Sequence, residues 1–217
     1  SSTISSLTGA GNLDSTLVGG SVIVTVGDYD ACGNFTGSIN NTAGSVALSK
    51  TGIGVLTLGG ASTYNGGTTI NAGTVLVTNT AGSATGSGAV TVASGATFGG
   101  SGIVTGPVAW QTGSSASFVQ GLPLTVSGSV ALNGNAITVN IPGMLPLGSG
   151  VYTLMTFNNS GSTGSFAAGT PTFTGAGVAA GSTVSVTTGS GLVQLVVTAP
   201  PGLTATWTNN GNGNWSA

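Results

Sequence analysis

Almost nothing in this chain can carry a charge. Its 217 residues include one lysine, three aspartates and no arginine, glutamate or histidine. An ordinary soluble domain is about 25% charged, against 2% here. Without clustered Lys and Arg, phosphates cannot be neutralised, which removes nucleic acid as a partner. The same lack removes an anionic membrane surface. Without histidine, no Ser–His or Cys–His pair can form within the chain. Zinc has no His or Cys cluster to bind. The single cysteine, Cys32, makes no internal disulfide. It reads as a small residue beside a turn, an intermolecular bridge being its other use. No apolar run reaches about 18 residues, so neither a membrane-spanning helix nor membrane insertion is expected. The opening Ser1-Ser-Thr-Ile-Ser-Ser-Leu7 has no basic or apolar leader region, which implies a removed signal peptide or a fragment. Sustained 3.6-residue periodicity is missing too, because Gly and β-branched residues interrupt every window.

What is present is strand material and turn material. Val, Leu and Thr favour strands, and 41 glycines supply turns without a Gly-X-Y period. Ser, Thr and Asn must keep the surface wet. Disordered chains are poorer in Val, Ile and Leu, so the composition indicates a folded body. Residues 46–78 show the rhythm best. Alternating runs of four to six residues are cut by Gly59-Gly60, Asn65-Gly66 and Ala72-Gly73, and Ala89–Gly100 resumes the pattern. Leu48, Ile70 and Val92 suggest a coil of about 20 residues with three short strands. The expected fold is therefore all-β: a parallel β-helix, or solenoid, with short Gly-rich turns over residues 1–141. The interior should be apolar, with Leu48, Leu56, Ile70, Leu76, Val90, Val92 and Phe98 facing inward. Gly59-Gly60 and Gly99-Gly100-Ser-Gly102 read as turns between coils, not phosphate loops, since no helix follows either.

Ile141-Pro-Gly-Met-Leu-Pro-Leu-Gly-Ser-Gly150 marks a boundary. Longer runs follow at Val151–Phe157, Thr183–Thr187 and Leu192–Thr198. Residues 142–198 read as a hairpin-rich β cap that hides the open edge of the last coil. Residues 199–217 read as a linker, Ala199-Pro-Pro-Gly202, and the start of another module or an inter-subunit tail.

Residues 48–77, from Leu48-Ser-Lys-Thr-Gly-Ile-Gly-Val-Leu-Thr-Leu58 to Tyr64-Asn-Gly-Gly-Thr-Thr-Ile70 and Gly73-Thr-Val-Leu-Val77, resemble the autotransporter-associated β-strand repeat family. Gly86–Val92 and Ala96–Val104 continue the likeness. Residues 151–198 look like the segment that closes a module, and Trp207 to Trp215 like the opening of the next. The resemblance implies secreted or surface proteins of bacteria with long β-helical bodies. It departs from self-export, since a membrane β-barrel is missing from this stretch.

Chemistry has few candidates. Glycoside hydrolysis usually needs two carboxylates, and only Asp14, Asp28 and Asp30 exist. Asp28-Tyr-Asp30 could place both carboxylates on one side of a strand and hold a hard cation such as Ca²⁺. The plainer reading is a solvated Asx turn. Tyr64, Trp110 and Trp207 could stack sugars, with core packing the plainer use of Trp110. Lys50, which begins the family signature, is expected on the surface near a coil corner. No enzyme, cofactor or metal is expected. The resulting reading is a structural module of an extracellular fibre, filament or stalk, its copies or modules joined head to tail with Trp207 and Trp215 at the contact. The alternative is an adhesin module binding glycans or surfaces along one face. Ice binding would need Thr ladders at constant spacing, and the Thr pairs in the sequence do not recur regularly.

Overall fold

The computed structural model describes residues 2–202. They form a three-faced β-solenoid, and the one helical element among them is a single 3₁₀ turn at Asp28–Asp30. The first face is a seven-stranded parallel sheet running from Ser2–Ile4 through Ser21–Val26, Ser45–Lys50, Thr68–Ile70, Val90–Val92 and Val108–Trp110 to Val130–Ala131. The second face, also seven-stranded, runs from Gly33–Phe35 through Val55–Leu58, Thr74–Val77, Thr97–Gly100, Ser115–Val119 and Ala136–Ile141 to Thr172–Gly175. The third face begins with Asn12–Asp14 against Ser38–Asn40 and ends in a five-stranded sheet. That sheet has the order Ile103–Val104, Leu124–Val126, Gly150–Phe157, Leu192–Thr198, Thr183–Gly189. Between these two parts, Ser62 N donates to Ser83 O and Ala84 N to Ile103 O.

Strict alternation makes this fold from these residues. In Ser45–Lys50 every second side chain is buried, and the same holds in Val55–Leu58 and Thr74–Val77. Period-two alternation sends one set inward and the other to solvent. Stacked coils then merge the inward sets into one core, which extends from Leu7 to Val197.

Register differs from the sequence expectation in one instructive way. Ile70 pairs with Lys50, not with Leu48, and Leu48 pairs with Thr68. The inward column is thus Val26, Lys50, Ile70, Val92, Trp110. Unequal coil lengths hide this column from a fixed-period reading. Leu76 is also corrected: it is half-exposed, while Val75 and Val77 are buried. Of the stretch Gly99–Gly102, Ser101-Gly102 lies at a bend between strands, but Gly99-Gly100 is not a turn. Both residues lie in the strand Thr97–Gly100, and a Cβ on Gly99 would sit 1.8 Å from the Ser117 carbonyl oxygen of the next coil. Gly59-Gly60 does follow the strand Val55–Leu58, at a bend.

The C-terminal part changes topology. Leu192–Thr198 pairs antiparallel with Gly150–Phe157, and Thr183–Gly189 pairs antiparallel with Leu192–Thr198. A two-residue loop, Ser190-Gly191, joins the hairpin, with φ of 51° and 77°. Two successive positive φ values suit the right-handed twist of the flanking strands. In the connection between Gly150–Phe157 and Thr172–Gly175, Phe166 enters the core. Its ring centroid lies 5.7 Å from that of Trp110 and 5.8 Å from that of Phe118, both at edge-on angles.

Candidate functional site

Three of the four formally charged side chains and the lone cysteine gather at one corner of the solenoid. Asp28, Tyr29 and Asp30 form the 3₁₀ turn that leaves Ser21–Val26. Lys50 ends Ser45–Lys50, the neighbouring strand of the next coil, and pairs with Val26. The turn is tight: Gly27 has φ 110°, and Tyr29 and Asp30 both adopt left-handed backbone. Aspartate tolerates that region better than most residues. The Asp28 carboxylate accepts from Tyr29 N at 3.2 Å, and Asp30 accepts from Ile53 N at 2.8 Å across the coil boundary. The two carboxylates therefore do not share one side of a strand. They hold amides of this turn and of the next coil's bend rather than closing an Asx turn two residues on. Among the described residues, no group of three or more His, Cys, Asp or Glu is placed to hold a metal ion.

Lys50 departs from expectation. It is fully buried, not on the surface. The parity of Val46, Leu48 and Lys50 directs its stem into the interior, and its ammonium reaches the corner. There it donates to the carbonyl of Gly52 at 2.8 Å, to that of Thr51, and to that of Ala72 in the following coil at 3.4 Å. Three donors meet three backbone acceptors that the turn leaves without strand partners. Burial lowers the Lys50 pKa, and the neighbouring Cys32 and Asp30 side chains oppose that shift. Cys32 is exposed, as a small residue after the turn, and its sulfur accepts from Val55 N at 3.3 Å.

The aromatic candidates fall elsewhere. Tyr64 is buried rather than offered to sugars, its hydroxyl 2.6 Å from Thr68 Oγ1. Burial pushes its phenol well above the ordinary value. Trp110 is buried as well, against Phe98 and Phe166. Trp207 and Trp215 lie outside the described residues. One feature was not legible in sequence spacing. Thr3, Thr25, Ser49, Thr69 and Thr91 stand in one outward register row, continued by Ala109 and Ala131. That row wets the first face without charge.

The corner built on Lys50 opens a stretch with a known family pattern. Residues 48–77 match the family model described as passenger-associated-transport-repeat. No curated protein and no solved structure matches the chain. The repeat spans Val55–Leu58, Thr68–Ile70 and Thr74–Val77 and includes the buried Lys50, Tyr64 and Thr68. The matched stretch runs through more than one coil, since Val55–Leu58 and Thr74–Val77 are paired neighbours on the second face, and its buried Lys50, Tyr64 and Thr68 are spent on backbone and core contacts. A transport repeat in such a fold fits a structural module of a passenger domain, and the family implies a secreted or surface setting.

Proposed function

We propose that the chain is a structural module of an extracellular bacterial fibre, filament or stalk, assembled from head-to-tail β-solenoid units. The observation that carries this reading is the match of residues 48–77 to a passenger-associated repeat inside a solenoid whose polar side chains serve its own turns. Tyr64 and Trp110 support the structural reading over a glycan-binding face, because both are core residues. No turnover is expected: Asp28 and Asp30 accept hydrogen bonds from turn amides, and Lys50 is enclosed by carbonyls.

Trp207 and Trp215 are proposed as anchors between units, since aromatics supply large buried area at a contact. Electron microscopy of the full chain tests the reading. Periodic filaments are expected, and removal of residues 203–217 should disperse them. Monodisperse particles of the full chain at all concentrations would overturn it. A glycosidase or lyase turnover lost on mutating Asp28 or Asp30 would overturn the non-enzymatic part.

A further inference from the structure

We infer that the strand Thr183–Gly189 is a docking edge for a second copy of this chain, whose first third-face strand, Asn12–Asp14, adds to it in parallel. This rests on the head-to-tail reading and gives it a location. The inference starts from strand direction. Gly150–Phe157 runs with the solenoid, parallel to Leu124–Val126. Leu192–Thr198 reverses that direction, and Thr183–Gly189 reverses it again. Two reversals restore the original polarity. The hairpin thus ends the third face with a strand that points the same way as the strands that began it.

Both ends of that face are open among the described residues. Thr183–Gly189 has a strand partner on one side only, and so has Asn12–Asp14. The usual devices that protect an edge are missing from Thr183-Val-Ser-Val-Thr-Thr-Gly189: it has no Pro, no Lys and no bulge. Its side chains alternate between exposed and half-buried, with Val184 and Val186 half-buried on the core side. Asn12–Asp14 alternates in the same phase, with Leu13 half-buried between two exposed residues. Pairing Leu13 with Val186 sets Leu13 on the core side of the junction. It also sets Asn12 beside Ser185, and Asp14 beside Thr187.

Charge favours this partner over the other symmetric choices. Asp14, Asp28, Asp30 and Lys50 are the only formal charges in the chain, and all lie toward its beginning. Head-to-head pairing would bring two net-negative ends together, whereas the tail strand is uncharged. Tail-to-tail pairing would leave both Asn12–Asp14 edges open. Head-to-tail pairing satisfies an edge of each kind and repeats without closing.

The test uses the full chain with Cys32→Ser, so that engineered thiols react alone. Asn12→Cys and Ser185→Cys are introduced singly and together, followed by mild oxidation. The double variant should give a ladder of covalent oligomers, at least about tenfold above either single variant. A second variant addresses the backbone. In a hairpin closed by a two-residue loop, the amides of residues 184, 186 and 188 face the open edge. Val186→Pro removes one of them and should reduce filament mass about tenfold, while Val186→Thr, which keeps the amide, should not.

Filaments without Asn12–Ser185 cross-links, unchanged by Val186→Pro, would overturn the junction and leave the fibre reading standing. A chain that stays monomeric and uncross-linked would overturn both. Efficient dimers of the Ser185→Cys single variant would show tail-to-tail pairing instead. A cross-link that forms only after removal of residues 203–217 would put that segment on the edge and overturn the second copy as its occupant.

Discussion

Lys50 illustrates how a charged residue enters a core that is otherwise nearly free of charge. Its position in the alternation sends it inward, and the corner supplies three carbonyls within reach of its ammonium. Removing one partner of a buried polar group costs the desolvation of whatever is left behind. Lys50→Met should therefore destabilise the protein by about 2–4 kcal/mol, because the Thr51, Gly52 and Ala72 carbonyls lose their donor. Denaturant unfolding checks this: the midpoint should fall while the slope stays unchanged. An unchanged midpoint would mean that water replaces the ammonium at no cost. The parity of Lys50 with Val46 and Leu48 was readable in the sequence. A charge is drawn toward solvent, and the acceptors that reward burial come from a turn and from the next coil, neither visible locally.

Strands were legible where alternation is strict. Leu192–Thr198 begins and ends where its run does, while the runs Val151–Phe157 and Thr183–Thr187 extend to Gly150–Phe157 and Thr183–Gly189. Gly99-Gly100 misled for a physical reason. Glycine signals a turn when judged alone, but Gly99 is held in strand by pairing with Leu76 and Ser117, and the Ser117 carbonyl leaves no room there for a Cβ. Inter-coil approach is a non-local constraint that no window of sequence carries. Phe166 is a second case. It sits in a long connection, yet it is buried against Trp110 and Phe118. Phe166→Ala should cost about 3–5 kcal/mol, as large-to-small changes in a packed core do. Hydrogen exchange should localise the loss. Protection should fall first in Ser115–Val119, Ala136–Ile141 and the closing hairpin, and last in Ser45–Lys50 and Val55–Leu58, since each coil contacts only its neighbours. Uniform loss along the chain would indicate a single cooperative unit instead.

The whole solenoid is wetted by hydroxyls and amides rather than by charge, and this sets how it should respond to acid. With no histidine, no side chain has an ordinary pKa between about pH 5 and 8. Among the carboxylates, Asp14 has its pKa lowered, chiefly by the hydroxyl of Thr42 and then by the Thr42 backbone amide. A carboxyl held below its unfolded value of 3.8 contributes stability above that pH. The contribution is lost as pH falls through the folded pKa, because the unfolded chain then binds the proton more readily. Melting temperature should thus stay level from neutral pH to about pH 5 and decline only below about pH 4. Asp14→Asn should flatten the part of that decline that Thr42 creates, since an amide cannot take up the proton. Sodium chloride up to about 1 M should shift the neutral-pH melting temperature little, because few charges exist to be screened. A steep loss of stability between pH 5 and 7 would contradict this account. So would an acid decline in Asp14→Asn as deep as in the unmodified chain.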